Sequence, residues 1–209
     1  MQIVLPLVKK PVVYHVGTMD RSRHQSGSHE GSGLSVSTEP SAWNKINGSH
    51  GVLWKLSSPS AKFVNAHKLS PDTKTAIVHW GVEHGFVNMA VQYELQYFDA
   101  DEGETFSMMF ATREEAELET PDWVDPNDVR IHQTTGVPVA TQKLKIACNN
   151  SCPVGMVFDM LLTVFAESAG YDGVWWADKL DVSRYSAPRG VIFNSKLSSW
   201  DITNTGTTF

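Results

Sequence analysis

The sequence predicts a single α+β domain, on three observations. Short β-branched and aromatic runs bounded by glycine recur along the chain: "VVYHVG" at 12–17, "GVLWKL" at 51–56 and "GVWW" at 173–176. One segment, "PVGMVFDMLLTVFAESAG" at 153–170, keeps helical spacing, with Val154, Phe158, Leu161 and Phe165 on one face. No internal repeat and no compositionally distinct linker divides the 209 residues, a length that one domain can fill.

In chain order, residues 12–17 form the first strand. Residues 19–33, "MDRSRHQSGSHEGSG", offer almost nothing to a core and read as a mobile loop. "LSVST" resumes a strand, and "PSAWNKI" is a short helix opened by Pro40 and ended near Gly48. Residues 51–56 are the next strand. Between Ser70 and Gly85 a helix has a serine cap, Pro71 in its first turn and a glycine stop. "VNMAVQYELQYF" and "TFSMMFA" read as strands flanking the acidic turn at 99–104. "TREEAELE" is a short helix capped by Thr112, with acids in the first turn where the helix dipole favours them. Residues 120–137 are turn-rich, and "PVATQKLKIA" alternates as a strand does. The helix of 153–169, preceded by Ser151 and Cys152, then runs into "GYDGVWWADKLDVSRYSAPRGVIF". We read this last stretch as two core strands joined by a loop.

The bulk numbers narrow the function classes. A net charge of −6 supplies no overall positive field to attract phosphates, so nucleic acid and acidic membrane are disfavoured partners. No apolar run approaches the ~20 residues needed to span a bilayer. The apolar N-terminus has Lys9 and Lys10 after the apolar residues instead of before them, unlike a signal peptide, which predicts a cytoplasmic protein. Cys148 and Cys152, spaced C-x3-C, do not make a four-ligand zinc site and read as reduced thiols. His24 and His29 have no second ligand cluster, and "DADEGE" lacks EF-hand spacing, so no metal is expected.

Three stretches carry a resemblance. These are "VYHVGT", "EGSGLSVSTEPSAW" and the helix leading into "GYDGVWW". In this order they resemble the ADP-ribosyltransferase-like superfamily, particularly small bacterial and phage members with a histidine in the first motif. The resemblance covers about residues 12–56 and 153–202, and leaves a family-specific middle segment at about 65–150. It implies a split two-sheet fold with NAD as substrate in the cleft between the sheets. It also implies a macromolecular target, expected to be protein, and the setting of a phage or mobile-element effector acting in host cytoplasm, an anti-defence role among others.

By the same resemblance Tyr14, His15, Gly17 and Thr18 supply the first motif. His15 would bond the adenosine ribose, and Gly17 would offer backbone groups to the nicotinamide amide. Ser35, Ser37, Thr38 and Trp43 are the second-motif candidates. The third motif normally carries a glutamate, yet no Glu follows Gly170. The available acids are Asp172, Asp178 and Asp181. Asp178 is preferred because it is placed where the "GVWW" strand runs out; Asp181 lies deeper in the loop, and Asp172 reads as a turn residue. The departure leaves an alternative: an inactive member of the fold that acts as a binding or inhibitory module.

The chemistry explains why a carboxylate is sought there. Cleaving the nicotinamide–ribose bond builds positive charge on the sugar, and a fixed, ionised acid stabilises it. That acid belongs at a polar cleft edge, since deep burial neutralises it. The pyrophosphate calls for cations, for which Arg21, Arg23 and Arg189 are available; Arg189 reads as lying on the turn between Pro188 and Gly190. Trp175 and Trp176 must face opposite sides of their strand, so one enters the core while Trp176 is a candidate pocket wall.

Overall fold

The computed structural model describes residues 3–19, 33–47, 50–148, 156–177, 179 and 187–209. The architecture is α+β, with several sheets and few helices. Its central sheet has the order β1 (Leu7–Val8), β5 (Phe63–Asn65), β9 (Gly173–Ala177), β10 (Arg189–Ile192) and β3 (Leu34–Val36). β5 and β9 run parallel and the other pairs antiparallel. A second, antiparallel sheet has the order β11 (Asp201–Thr208), β4 (Val52–Ser57) and β2 (Val12–Val16).

A backbone bridge joins the two sheets. Tyr14 N donates to Ser37 O at 2.7 Å, and Ser37 N donates to Tyr14 O at 2.9 Å. Between them lies an apolar layer containing Val13, Leu34, Leu56, Phe63, Trp175 and Trp200. Phe63 stands edge-on to Trp175 at 5.7 Å and to Trp200 at 5.9 Å, the arrangement that ring quadrupoles favour. The other side of the central sheet is covered by helices α2 (Pro71–Glu83), α4 (Gln142–Ala147) and α5 (Val157–Ser168). Ile77, Leu144, Met160, Leu161, Val174 and Trp176 belong to that second core. Residues 174–176 therefore alternate between cores as a strand requires: Trp175 faces the second sheet and Trp176 the helices. A short α1 (Ala42–Asn47) follows β3.

Local chemistry explains the helix boundaries. The Ser70 hydroxyl accepts from Thr73 N at 3.1 Å and opens α2 with Pro71 in its first turn. The charged middle segment has a core of its own. β6 (Val87–Asp99) pairs with β7 (Glu104–Phe110) and β8 (Val129–Ala140), and α3 (Arg113–Leu118) packs beside them. Leu95, Tyr97, Ala116 and Val124 form its small core. The segment leaves and returns through one pair, Val87 opposite Ala140, so it is an arm rooted on the body. Thr112 and Glu115 close a reciprocal capping box at the start of α3. Among the described residues no helix is long and apolar enough to cross a membrane.

Three expectations need correction. Residues 129–137, read as turns, belong to the long strand β8, because pairing with β6 along its length outweighs local turn chemistry such as that of Gly136. Residues 142–147 form a helix, not a strand. Thr141 caps it by accepting from Leu144 N, and Leu144 and Cys148 are buried while Ile146 is 62% exposed. A spacing of four satisfies both periods when an apolar run is this short. Arg189 is not on a turn: it opens β10 opposite Ala177. The strand continues through Gly190 because a bare Cα lets the Trp175 ring lie against it; a Cβ there would stand 2.3 Å from that ring.

Candidate functional site

The inter-sheet core becomes polar where β2 ends. Val13 and His15 are two apart on β2, and His15 pairs across the ladder with Trp54 of β4. The His15 ring reaches the first sheet: Nδ1 lies 2.9 Å from Ser35 O, and Nε2 lies 3.2 Å from Thr18 O. A neutral imidazole donates from one nitrogen only. Which of the two contacts is donated depends on the tautomer.

Gly17 follows with φ 132°, a conformation that favours glycine. It lies against Gly51, where a Cβ would come 2.9 Å from Gly17 Cα, so the two backbones meet with no side chain between them. Both polar groups of Gly17 are engaged: its N–H donates to Val52 O at 2.9 Å, and its carbonyl accepts from Trp54 Nε1 at 2.9 Å. Gly51 in turn exchanges backbone bonds with Phe209 at 3.1 and 3.0 Å, which ties the residue after β11 to the same corner.

The second stretch meets the first at this corner. Ser35 supplies its carbonyl to His15, and Ser37 makes the bridge to Tyr14. The Ser37 hydroxyl also accepts from Glu39 N at 3.0 Å. Thr38 follows Ser37 immediately and is half-buried. Trp43 lies on α1, but its side chain is outside what is described. The structure thus gathers Tyr14, His15, Gly17, Thr18, Ser35 and Ser37.

The third stretch is adjacent through β3, β10 and β9. Its candidates divide. Asp178 and Asp181 lie outside the described residues, as do Arg21, Arg23, His24, His29 and Cys152. The expected loop at 19–33 likewise falls almost wholly outside them. Asp172 is committed elsewhere: its carboxylate accepts from Lys62 N at 2.7 Å, and its backbone bonds to Lys62 and Phe193. Trp176 is on the helix side, 7% exposed, with its indole N–H donating to Asp159 at 3.2 Å. It is therefore not gathered with His15, which continues the opposite, inter-sheet face. Arg189 is half-buried at the start of β10.

Two residues that sequence reading did not single out take part. Trp54 occupies the register position opposite His15, and the signal for it was an aromatic inside the strand "GVLWKL". Glu39 places a carboxylate beside Ser37, held by Ser41 Oγ at 3.1 Å and Lys45 Nζ at 3.7 Å. Its only sequence signal was its position at the end of the "LSVSTEP" run. Among the described residues no three His, Cys, Asp or Glu side chains gather as a metal site. Comparison with protein-family models, with curated proteins and with solved structures finds no match.

Proposed function

We propose that this chain is an NAD-binding protein of the ADP-ribosyltransferase-like kind, with a split two-sheet fold, that transfers ADP-ribose to a macromolecular target, expected to be protein. One observation supports the reading above the others. Two of the stretches that carry the resemblance meet directly, with Tyr14 bonded to Ser37 and His15 bonded to Ser35, and the third, at β9, lies one strand beyond β3, across β10. A cytoplasmic, phage or mobile-element setting follows from the resemblance alone.

The residues present suit a nucleotide sugar in part. His15, its ring held at Ser35 O, is the proposed hydrogen-bonding partner of the adenosine ribose. Ser35 and Ser37 contribute backbone groups to the same corner. Asp178, the first acid beyond β9, is the proposed carboxylate that stabilises the oxocarbenium-like charge as the nicotinamide leaves, with Asp181 the second candidate. Arg189 is the proposed partner for pyrophosphate oxygens.

A second reading, an inactive binding or inhibitory module, is favoured by a specific feature. The Gly17 N–H and carbonyl, which the resemblance would offer to nicotinamide, are bonded within the protein. The absence of a Glu after Gly170 points the same way. The deciding experiment incubates the pure protein with labelled NAD and host lysate. Label transferred to a macromolecule supports transfer. No label, with the protein still disabling its target, supports the module.

A further inference from the structure

Charge is divided unevenly in this chain. Residues 87–140 contain twelve Asp or Glu against Arg113 and Arg130, a net of −10; the remainder contains eleven acids against fifteen Lys or Arg, a net of +4, and together these give −6. The excess of negative charge therefore belongs to the arm. The arm also carries a concave surface: a cavity of about 490 Å³ has Val124, Val129 and Ile131 among its apolar lining and Glu117 and Asp122 among its acids. Arg113 is paired with Glu117 at 2.9 Å, so it does not offset Asp122.

Large apolar side chains stand in water beside this cleft. Leu118, next to Glu117, is 84% exposed, and Trp123, between Asp122 and Val124, is 63% exposed. Tyr97 stands edge-on to the Trp123 ring at 5.9 Å, which limits its freedom before any partner arrives. A half-oriented, exposed tryptophan is the type of side chain that anchors protein interfaces.

We propose that this acid-rimmed cleft docks an arginine- or lysine-rich segment of a partner protein. Charge complementarity selects the occupant. A basic side chain lays its aliphatic stem on Val124, Val129 and Ile131 while its charge meets Asp122. The Trp123 face receives a guanidinium by cation–π contact, and the arm's field steers basic chains toward it. Nucleic acid is repelled by the same field. The proposal is independent of NAD binding.

The probe is a fluorescein-labelled peptide of alternating arginine and alanine, with a glutamate-for-arginine peptide as control. Anisotropy is measured with the full chain over a range of salt, and hydrogen exchange locates the contact. The arginine peptide should bind, the control should not, and protection should concentrate in residues 113–131. Trp123→Ala should weaken binding by at least about tenfold, with circular dichroism confirming the fold. Asp122→Asn should weaken it and flatten its salt dependence. No binding, protection elsewhere, or full affinity in Trp123→Ala overturns the proposal, the last reducing it to long-range charge. Light scattering that shows a dimer abolished by Trp123→Ala overturns it in favour of a second copy. Binding of a single-stranded oligonucleotide to the same residues overturns it as well.

Discussion

His15 Nδ1 lies 2.9 Å from the carbonyl oxygen of Ser35, across the gap between the two sheets. This contact and the Tyr14–Ser37 bridge are adjoining links between β2 and β3. The ring is therefore fixed in orientation before any ligand arrives, which is what a hydrogen-bonding ligand residue needs. It also means that His15 contributes to the structure, so its removal must be read on two scales.

His15→Ala should weaken NAD binding by at least about tenfold, as loss of one well-placed polar contact does, while costing about 1 kcal/mol of stability. Titration calorimetry gives the first number and denaturant unfolding the second. Unchanged affinity would remove His15 from the binding site.

Trp54→Phe keeps an aromatic side chain, a smaller one, and deletes the N–H that bonds Gly17 O at 2.9 Å. It should cost about 1–2 kcal/mol, the usual range when a partly buried acceptor loses its donor. On the active reading, affinity for NAD should hold or rise, because the Gly17 carbonyl then gains capacity for the nicotinamide amide. A fall in affinity at constant stability would place Trp54 itself against the ligand.

Gly190→Ala should destabilise by about 2–3 kcal/mol. A Cβ there would meet the Trp175 ring at 2.3 Å and Val174 O at 2.7 Å, and the second of these is backbone. Thermal unfolding checks this. A neutral outcome would show that β10 is not held against Trp175 as described.

Glu94, on the open face of β6, has its carboxyl held below the ordinary glutamate value of 4.5, first by the Ser107 hydroxyl and then by the Gln96 amide. A lowered folded pKa gives stability that is present above the unfolded value and lost as pH falls through the folded one. Glu94→Gln should therefore lower the melting temperature slightly at neutral pH and flatten its acid-side decline below about pH 4.5. An unaltered acid-side profile would remove Glu94 from that role.

Much of this fold was legible where local chemistry and tertiary demand agree. The Ser70 cap, the Thr112 cap and the "GVWW" alternation each appear in the structure as the residues suggest. It was not legible where pairing decides. β8 owes its strand to β6, and β11, "DITNTGTT", is exposed throughout, polar but for Ile202 and Gly206, and exists through its ladder with β4. At the candidate site, His15 and Ser35 stood out by type, but their contact depends on sheet geometry that no spacing encodes. Trp54 stayed hidden because an aromatic inside a strand is ordinarily core. Glu39 was hidden by its place in a turn, where acids are common.

Asp178 is the residue on which the proposed chemistry turns. Asp178→Asn keeps size and most hydrogen bonding but removes the charge, so turnover should fall roughly 10²–10³-fold while ground-state NAD affinity changes little. Asp181→Asn should do less, and Asp172→Asn should chiefly lower the melting temperature, because its carboxylate holds Lys62 N. Transfer of label from NAD to host macromolecules, measured for the wild type and Asp178→Asn side by side, tests the account most directly. It predicts label in the first and near-background label in the second. Equal labelling by both would contradict the catalytic assignment, and no labelling by the wild type would contradict the transferase reading itself.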